Sequence, residues 1–317
     1  YLVSLYESRK FLRNIMNIVT TRIYGNYCRQ LMKTYDYCRA FRYSGKVNPK
    51  IPSMRKFQYL CLFLLLLATA CSTDAMDDNP AGDPAGNGSP DGGPGYRGAV
   101  GESAADLLSG ETFGGLSLQL LYVEGMRPTQ ATVDNFQDFL RERLNKPDGI
   151  SLTLREIASP GQDVYSTQDI RELEDEVRTL FSTTDNLAVC GIFLDGSFEG
   201  NTESGSVLGI AYRNTSFVVF GETIREFSGQ PLAPSTTVLE TTVVNHEFGH
   251  LLGLVNAGTP LQTQHQDTEH GRHCTAEDCL MYWTAETGEG LVNMISGGNV
   301  PSLDAACLQD LQANGGR

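Results

Sequence analysis

His246, Glu247 and His250 stand in the run NHEFGHLLG (245–253), the two histidines four positions apart and the carboxylate next to the first. On an α-helix, positions i and i+4 share a face, so both imidazoles can offer a nitrogen to one ion. Glu247 borders that face and can reach a water held by the ion without being a ligand itself. Zinc suits such a pair: it lowers the pKa of its water to about 7, and a nearby carboxylate takes the proton as the water attacks a carbonyl. The competing reading is two surface histidines on an amphipathic helix. With only five histidines in the chain, a chance match of this kind arises below about one time in a hundred.

The motif runs on to Gly253, which can take the backbone conformation that ends a helix and swings the chain back. Downstream lies HCTAEDCLMYW (273–283). Together these segments resemble the metzincin zinc proteases, whose pattern HExxHxxGxxH is followed by a methionine turn beneath the zinc. The resemblance implies that Met281 centres that turn as a hydrophobic floor. Asn256 stands where the third histidine of the pattern is expected, and a neutral amide oxygen is a poor zinc ligand beside imidazole. In metzincins such as the matrix metalloproteases the third histidine precedes the methionine by eight residues, and His273 lies eight before Met281. The resemblance therefore implies His246, His250 and His273 as ligands, Glu247 as general base, and an insertion over 255–272. His270, His265 and Asn256 stay open as alternatives to His273. His265 is read first as an exposed loop histidine, and His265 and His270 with Asp267 could also form a separate site.

The string HCxxxxCLM is further similar to the archaemetzincin subgroup, which binds additional zinc through cysteines, including a later pair. Only Cys307 follows here, so one catalytic zinc ion is expected. Some metzincins use a tyrosine two residues after the methionine; that position is Trp283, with Tyr282 one too early, and no tyrosine role is implied. A thermolysin-like arrangement would take its third ligand from a later glutamate, Glu269 or Glu277, but leaves Gly253 and Met281 unexplained.

The elements that must position these residues follow from periodicity. The spacing predicts the motif helix from about Ser235, with Thr237 and Glu240 as a capping box. Upstream, 116–125 reads as a strand and 132–145 as a helix with Val133, Phe136, Phe139, Leu140 and Leu144 inward. GISLTLREI (149–157) alternates as a second strand. A helix over 166–182 follows, with Ile170, Leu173, Val177, Leu180 and Phe181 inward, and then the continuous apolar strand 186–195. This order predicts an α/β fold, with a mixed, mostly parallel twisted sheet covered by helices; the metzincin resemblance makes it an α+β zincin. VLGIAYRNTSFVVFGETI (207–224) is a hairpin or an irregular edge strand, and an edge strand beside such a site can pair with an extended peptide; an ordinary edge strand fits as well. A closing helix is expected from Ser302, with Leu303, Ala306, Cys307 and Leu311 inward, as metzincin domains usually end.

Charge divides the chain. Residues 1–56 hold 12 of the 24 Lys and Arg but two acids, Glu7 and Asp36, a net +10; the remainder is −24. Between the two parts, MRKFQYLCLFLLLLATAC (54–71) reads as a secretory signal peptide, its apolar run short of the roughly 20 residues that span a bilayer. LATAC resembles a bacterial lipobox, which implies lipidation of Cys71 and export to the outer membrane or cell surface. Residues 1–53 are then an upstream extension foreign to the native protein, 54–70 the signal peptide, 71–104 the anchor and flexible Gly/Pro/Asp linker, and 105–317 the catalytic domain. The acidic remainder disfavours nucleic acid as a partner. An exported domain permits disulfides: Cys274 with Cys279 would close a small loop beside His273, leaving Cys190 with Cys307, unless Cys190 is a buried strand thiol. No cysteine in 72–110 is available to block a zinc ion.

The expectation is a monomeric, membrane-anchored zinc endopeptidase acting on proteins or peptides. The rival is a non-catalytic surface lipoprotein with a structural zinc site, although such a site has no need of Glu247.

Overall fold

The computed structural model describes residues 95–202, 205–295 and 298–317. The upstream extension, the signal peptide, Cys71 and most of the linker lie outside the described residues. No helix among the described residues is long and apolar enough to cross a membrane.

Five strands form one sheet in the order β2-β1-β4-β7-β6. They are β1 (Gly115–Val123), β2 (Gly149–Ile157), β4 (Asn186–Leu194), β6 (Gly209–Arg213) and β7 (Ser216–Phe220); β6 alone runs antiparallel, paired to β7. The run 207–224 is thus a hairpin whose first strand is the sheet edge. β4 is buried from Leu187 to Leu194 because helices cover both faces, which is why its sequence is apolar without alternation. β2, at the opposite edge, alternates between half-buried and exposed along most of its length. Two short pieces, β3 (Val164–Tyr165) and β5 (Ser197–Phe198), pair beside the sheet.

Helix α1 (Ala104–Leu108) leads in; α2 (Gln130–Arg143) crosses between β1 and β2, and α3 (Thr167–Val177) between β2 and β4. Side chains of β1 alternate between two cores. Leu116, Leu118 and Leu120 join Phe136 and Leu140 of α2 on one face, while Leu121 and Val123 join Ile170 of α3 on the other. After α4 (Gly221–Ser228) comes α5 (Thr236–Leu251), which is buried without interruption from Leu239 onward. Its Phe248 meets Phe136 of α2 edge to face, with ring centroids 5.4 Å apart. A 3-10 turn (Trp283–Glu286), α6 (Gly288–Met294) and α7 (Ala305–Ala313) complete the chain.

Four expectations are corrected. Ser235, not Thr237, caps α5, its side chain accepting from Val238 N–H. Glu240 instead accepts from Thr129 N–H (2.9 Å) and Thr132 Oγ1 (2.8 Å), tying α5 to the start of α2. Helix α3 stops at Val177, where Arg178 turns extended and its buried guanidinium donates to Leu180 O (2.9 Å) and Ala188 O (3.0 Å), leaving Leu180 and Phe181 half-buried beyond the helix. The closing helix begins at Ala305, capped by Asp304. The packed region also starts before residue 105: Tyr96 is buried against Phe181, and Gly98 N–H donates to Asn214 Oδ1 (3.0 Å).

Candidate metal centre

His246 and His250 lie in the last turns of α5, inside the core. The helix then ends on Gly253, whose φ of +68° is the left-handed conformation that glycine adopts without strain. Leu254 N–H donates back to Gly249 O (3.1 Å), closing the helix end. Gly249 is required for a second reason: a Cβ there would come within 2.4 Å of Met281 Sδ, so its absence lets the buried Met281 lie against the helix. Val255 and Asn256 are also left-handed, at φ 55° and 64°, and turn the inserted segment away. It returns as a small hairpin of β8 (Gln266–Asp267) and β9 (His273–Cys274), which delivers His273 to the site.

Three imidazoles converge. His250 Nε2 lies 3.1 Å from His246 Nε2, and these atoms lie with His273 and Glu286 in one group of metal-ligating donors, each within 4.8 Å of the others. A tetrahedral zinc ion with bonds of about 2.0–2.1 Å spaces its donors about 3.3 Å apart, so the set is of the right size. Backbone carbonyls orient two of the rings: Leu280 O lies 2.7 Å from His246 Nδ1, and His270 O lies 2.5 Å from His273 Nδ1. A hydrogen bond at Nδ1 leaves Nε2 as the donor to an ion. Burial pushes His250 down to about 4, so it is neutral at pH 7, as a ligand must be.

Glu247 is buried beside this group, with the Ala211 backbone of β6 as its hydrogen-bonding neighbour. Burial, and then the charge of Glu286, raise its carboxyl well above the usual range. Its Oε1 has no protein partner. A buried carboxyl with an orphan oxygen, one residue from His246 on the helix that carries two convergent imidazoles, fits a site built for a metal and a polar reactant.

The alternatives to His273 fall elsewhere. Asn256 donates to Gln266 Oε1 (3.3 Å), and His270 is paired to Asp267 (2.7 Å) and stacked on Trp283. Glu269 and Glu277 are exposed. The glutamate that does reach the site, Glu286, went unrecognised in the sequence. Its Oε1 is 2.9 Å from His273 Nε2, 3.1 Å from His250 Nε2 and 3.4 Å from His246 Nε2. Its position five residues beyond Met281 belongs to no spacing pattern that would have marked it.

A second cluster replaces the expected disulfides. All four described cysteines are free, so Cys274 and Cys279 form no bridge. Cys190 is a buried strand thiol in the core on the α3 side, while Cys307 sits in the other core and cannot pair with it. Cys279 Sγ faces Cys307 Sγ at 3.7 Å, and His265 Nδ1 lies 3.4 Å from Cys274 Sγ and 3.9 Å from Cys307 Sγ. Zinc–sulfur bonds of about 2.3 Å place tetrahedral sulfurs about 3.8 Å apart, close to these values. Hydrogen bonds from the Cys279 and Cys307 thiols hold the Cys274 thiol well below its usual range. The thiolate is the metal-binding form. His265, expected as an exposed loop residue, is buried, and Asp310 Oδ2 holds its Nε2 at 2.7 Å, which turns Nδ1 toward the sulfurs. Donors of His265, Cys274, Cys307 and Asp304 all lie within 4.8 Å of one another, Asp304 turning Oδ2 to Cys274 Sγ (3.5 Å) while its Oδ1 caps α7, and Cys279 adjoins this group through Cys307.

Neither a protein-family model nor a curated protein matches this chain. Among solved structures, archaemetzincin from Methanopyrus kandleri is similar at 18% identity and a TM-score of 0.42, over 63% of this chain and 96% of that one. Metalloproteinase-II from Bacteroides fragilis is similar at 13% identity and a TM-score of 0.34, over 66% of this chain and 61% of that one.

Proposed function

We propose that the chain is a zinc-dependent endopeptidase of metzincin type, with His246, His250 and His273 as ligands and Glu247 as general base. The observation that carries this reading is the convergence of three imidazoles, two of them oriented by backbone carbonyls, with a buried carboxyl that has an unpaired oxygen next to His246 in sequence. A zinc ion bound there supplies Lewis-acid polarisation of the scissile carbonyl and a water acidic enough to be deprotonated near neutral pH. Glu247 accepts the proton and returns it to the leaving amine, which its buried, proton-retaining environment favours. Met281 fills the floor under the ligand helix, and β6 offers an edge to an extended peptide. Protein or peptide is the substrate class, and the acidic charge disfavours nucleic acid.

The sulfur cluster is proposed to hold a second, structural zinc through Cys274, Cys279, Cys307 and His265, in place of the single ion first expected. The signal-peptide and lipobox segments support export and anchoring through Cys71, with the folded part at the end of a tether.

One observation favours a second reading: Glu286 fills the fourth position around the imidazoles, and four protein ligands characterise structural zinc sites. Metal analysis with a peptide-library cleavage assay separates the two. Two zinc ions per chain and cleavage that is lost on chelation and restored by zinc support the enzyme, whereas two tightly held ions without cleavage support the structural site. Cys307→Ser is expected to lower the content to one ion and to lower the melting temperature, since a structural zinc contributes folding free energy directly.

A further inference from the structure

We propose that Glu286 is a self-supplied fourth ligand that closes the metal centre in the resting chain, and that the segment carrying it, 283–288, must be displaced before a peptide can enter. This inference rests on the reading of the three histidines as zinc ligands.

The donor geometry is the first observation. Glu286 Oε1 lies 2.9–3.4 Å from the three imidazole nitrogens and the His246 and His250 Nε2 atoms lie 3.1 Å apart, close to the roughly 3.3 Å between donors of a tetrahedral zinc ion. Catalytic zinc sites keep one corner open, and here the chain itself occupies it.

Backbone pairing is the second. Leu208 N–H donates to Glu286 O (2.9 Å) and Gly288 N–H to Ser206 O (2.9 Å), with Val207 and Thr287 forming an antiparallel bridge. Residues 206–208 lead directly into β6, the edge strand whose Ala211 backbone adjoins Glu247. Thr287, the extended residue between the 3-10 turn and α6, is therefore bridged antiparallel beside the site with a backbone hydrogen bond on either side, a short form of the pairing by which sheet edges capture peptides. The segment stands in for a substrate while the Glu286 carboxylate takes the position needed by a water or a scissile carbonyl.

Anchorage is the third. Trp283, at the head of the segment, lies flat on His270 of the inserted loop, with centroids 4.3 Å apart and planes 4° from parallel. His270 is held by Asp267 and its side chain is 40% exposed. The half-exposed ring stack and the two backbone hydrogen bonds to 206–208 can be replaced by equivalent interactions of an incoming peptide, and the peptide must also cover the buried Ala285 that displacement uncovers. The inserted loop thereby acquires a role, because it fastens the closing segment.

The test uses the zinc-loaded full chain and acetohydroxamate, a small bidentate zinc ligand, in calorimetric titration. Glu286→Ala is expected to bind it about tenfold or more tightly than wild type, because apparent affinity scales with the fraction of open sites. Glu286→Gln should fall between, and Glu286→Ala should also release zinc faster to a competing chelator. Equal acetohydroxamate affinity in wild type and Glu286→Ala, together with loss of one zinc ion in His246→Ala or His273→Ala, would overturn the closure while leaving the zinc reading intact. Zinc content unchanged in both histidine variants would overturn the zinc reading, and the closure with it.

Discussion

Glu247→Gln is expected to lower peptide cleavage by about 10²–10⁴-fold, the usual contribution of a positioned general base, while both zinc ions stay bound. The substitution keeps the shape of a side chain that is packed in the core and adjoins the Ala211 backbone. It removes only the ability to take a proton. The two readouts therefore separate: steady-state cleavage falls, and zinc content and melting temperature change little. A drop in cleavage accompanied by zinc loss would instead assign Glu247 to metal retention. Unchanged cleavage would remove it from the chemistry.

The largest expected effect on stability lies away from the metal. Glu174 is fully buried, and its carboxylate accepts from Arg178 (2.7 Å), Arg213 (2.8 Å) and Ser216 Oγ (2.5 Å). Tyr96 lies against the same cations, with its ring centroid 4.6 Å from the Arg178 guanidinium carbon and 5.5 Å from that of Arg213. Glu174→Ala leaves two buried guanidinium groups short of their counter-charge, and removing one partner of a buried pair costs about 3–5 kcal/mol. Urea denaturation should show that loss as a shift in midpoint. A loss below about 1 kcal/mol, the range of exposed pairs, would mean that the network is open to water.

This network also shows why part of the fold was illegible in the sequence. The period of Ile170, Leu173 and Val177 reads as an apolar helix face and extrapolates through Leu180 and Phe181. The charged residue that ends the helix, Arg178, looks like an ordinary surface position until its distant partners Ala188 O and Ser216 Oγ are known. The strands were legible because β4 is apolar throughout and β2 alternates, patterns that arise from burial on two faces and on one. The sequence boundaries of β2 agree with the structure, Gly149–Ile157.

The site divides in the same way. His246, Glu247, His250 and Gly253 are set by local helix geometry and can be read from spacing alone. His273 needed the distance to Met281, and the structure brings it beside His246 and His250. Glu286 and His265 depend on long-range contacts. The first arrives by pairing with Ser206–Leu208, the second by its hold on Asp310 of α7. Cysteine counting favours disulfides, whereas Cys274 and Cys307 both lie free beside the His265 imidazole, with Cys279 against Cys307.

Zinc-edge anomalous diffraction from crystals of the zinc-loaded chain locates the ion among its ligands. A peak is expected about 2.0–2.1 Å from the Nε2 atoms of His246, His250 and His273 together, and another among the sulfur cluster and His265. Absence of density at the three histidines in zinc-replete crystals, with or without a peak at the sulfurs, would contradict this ligand set.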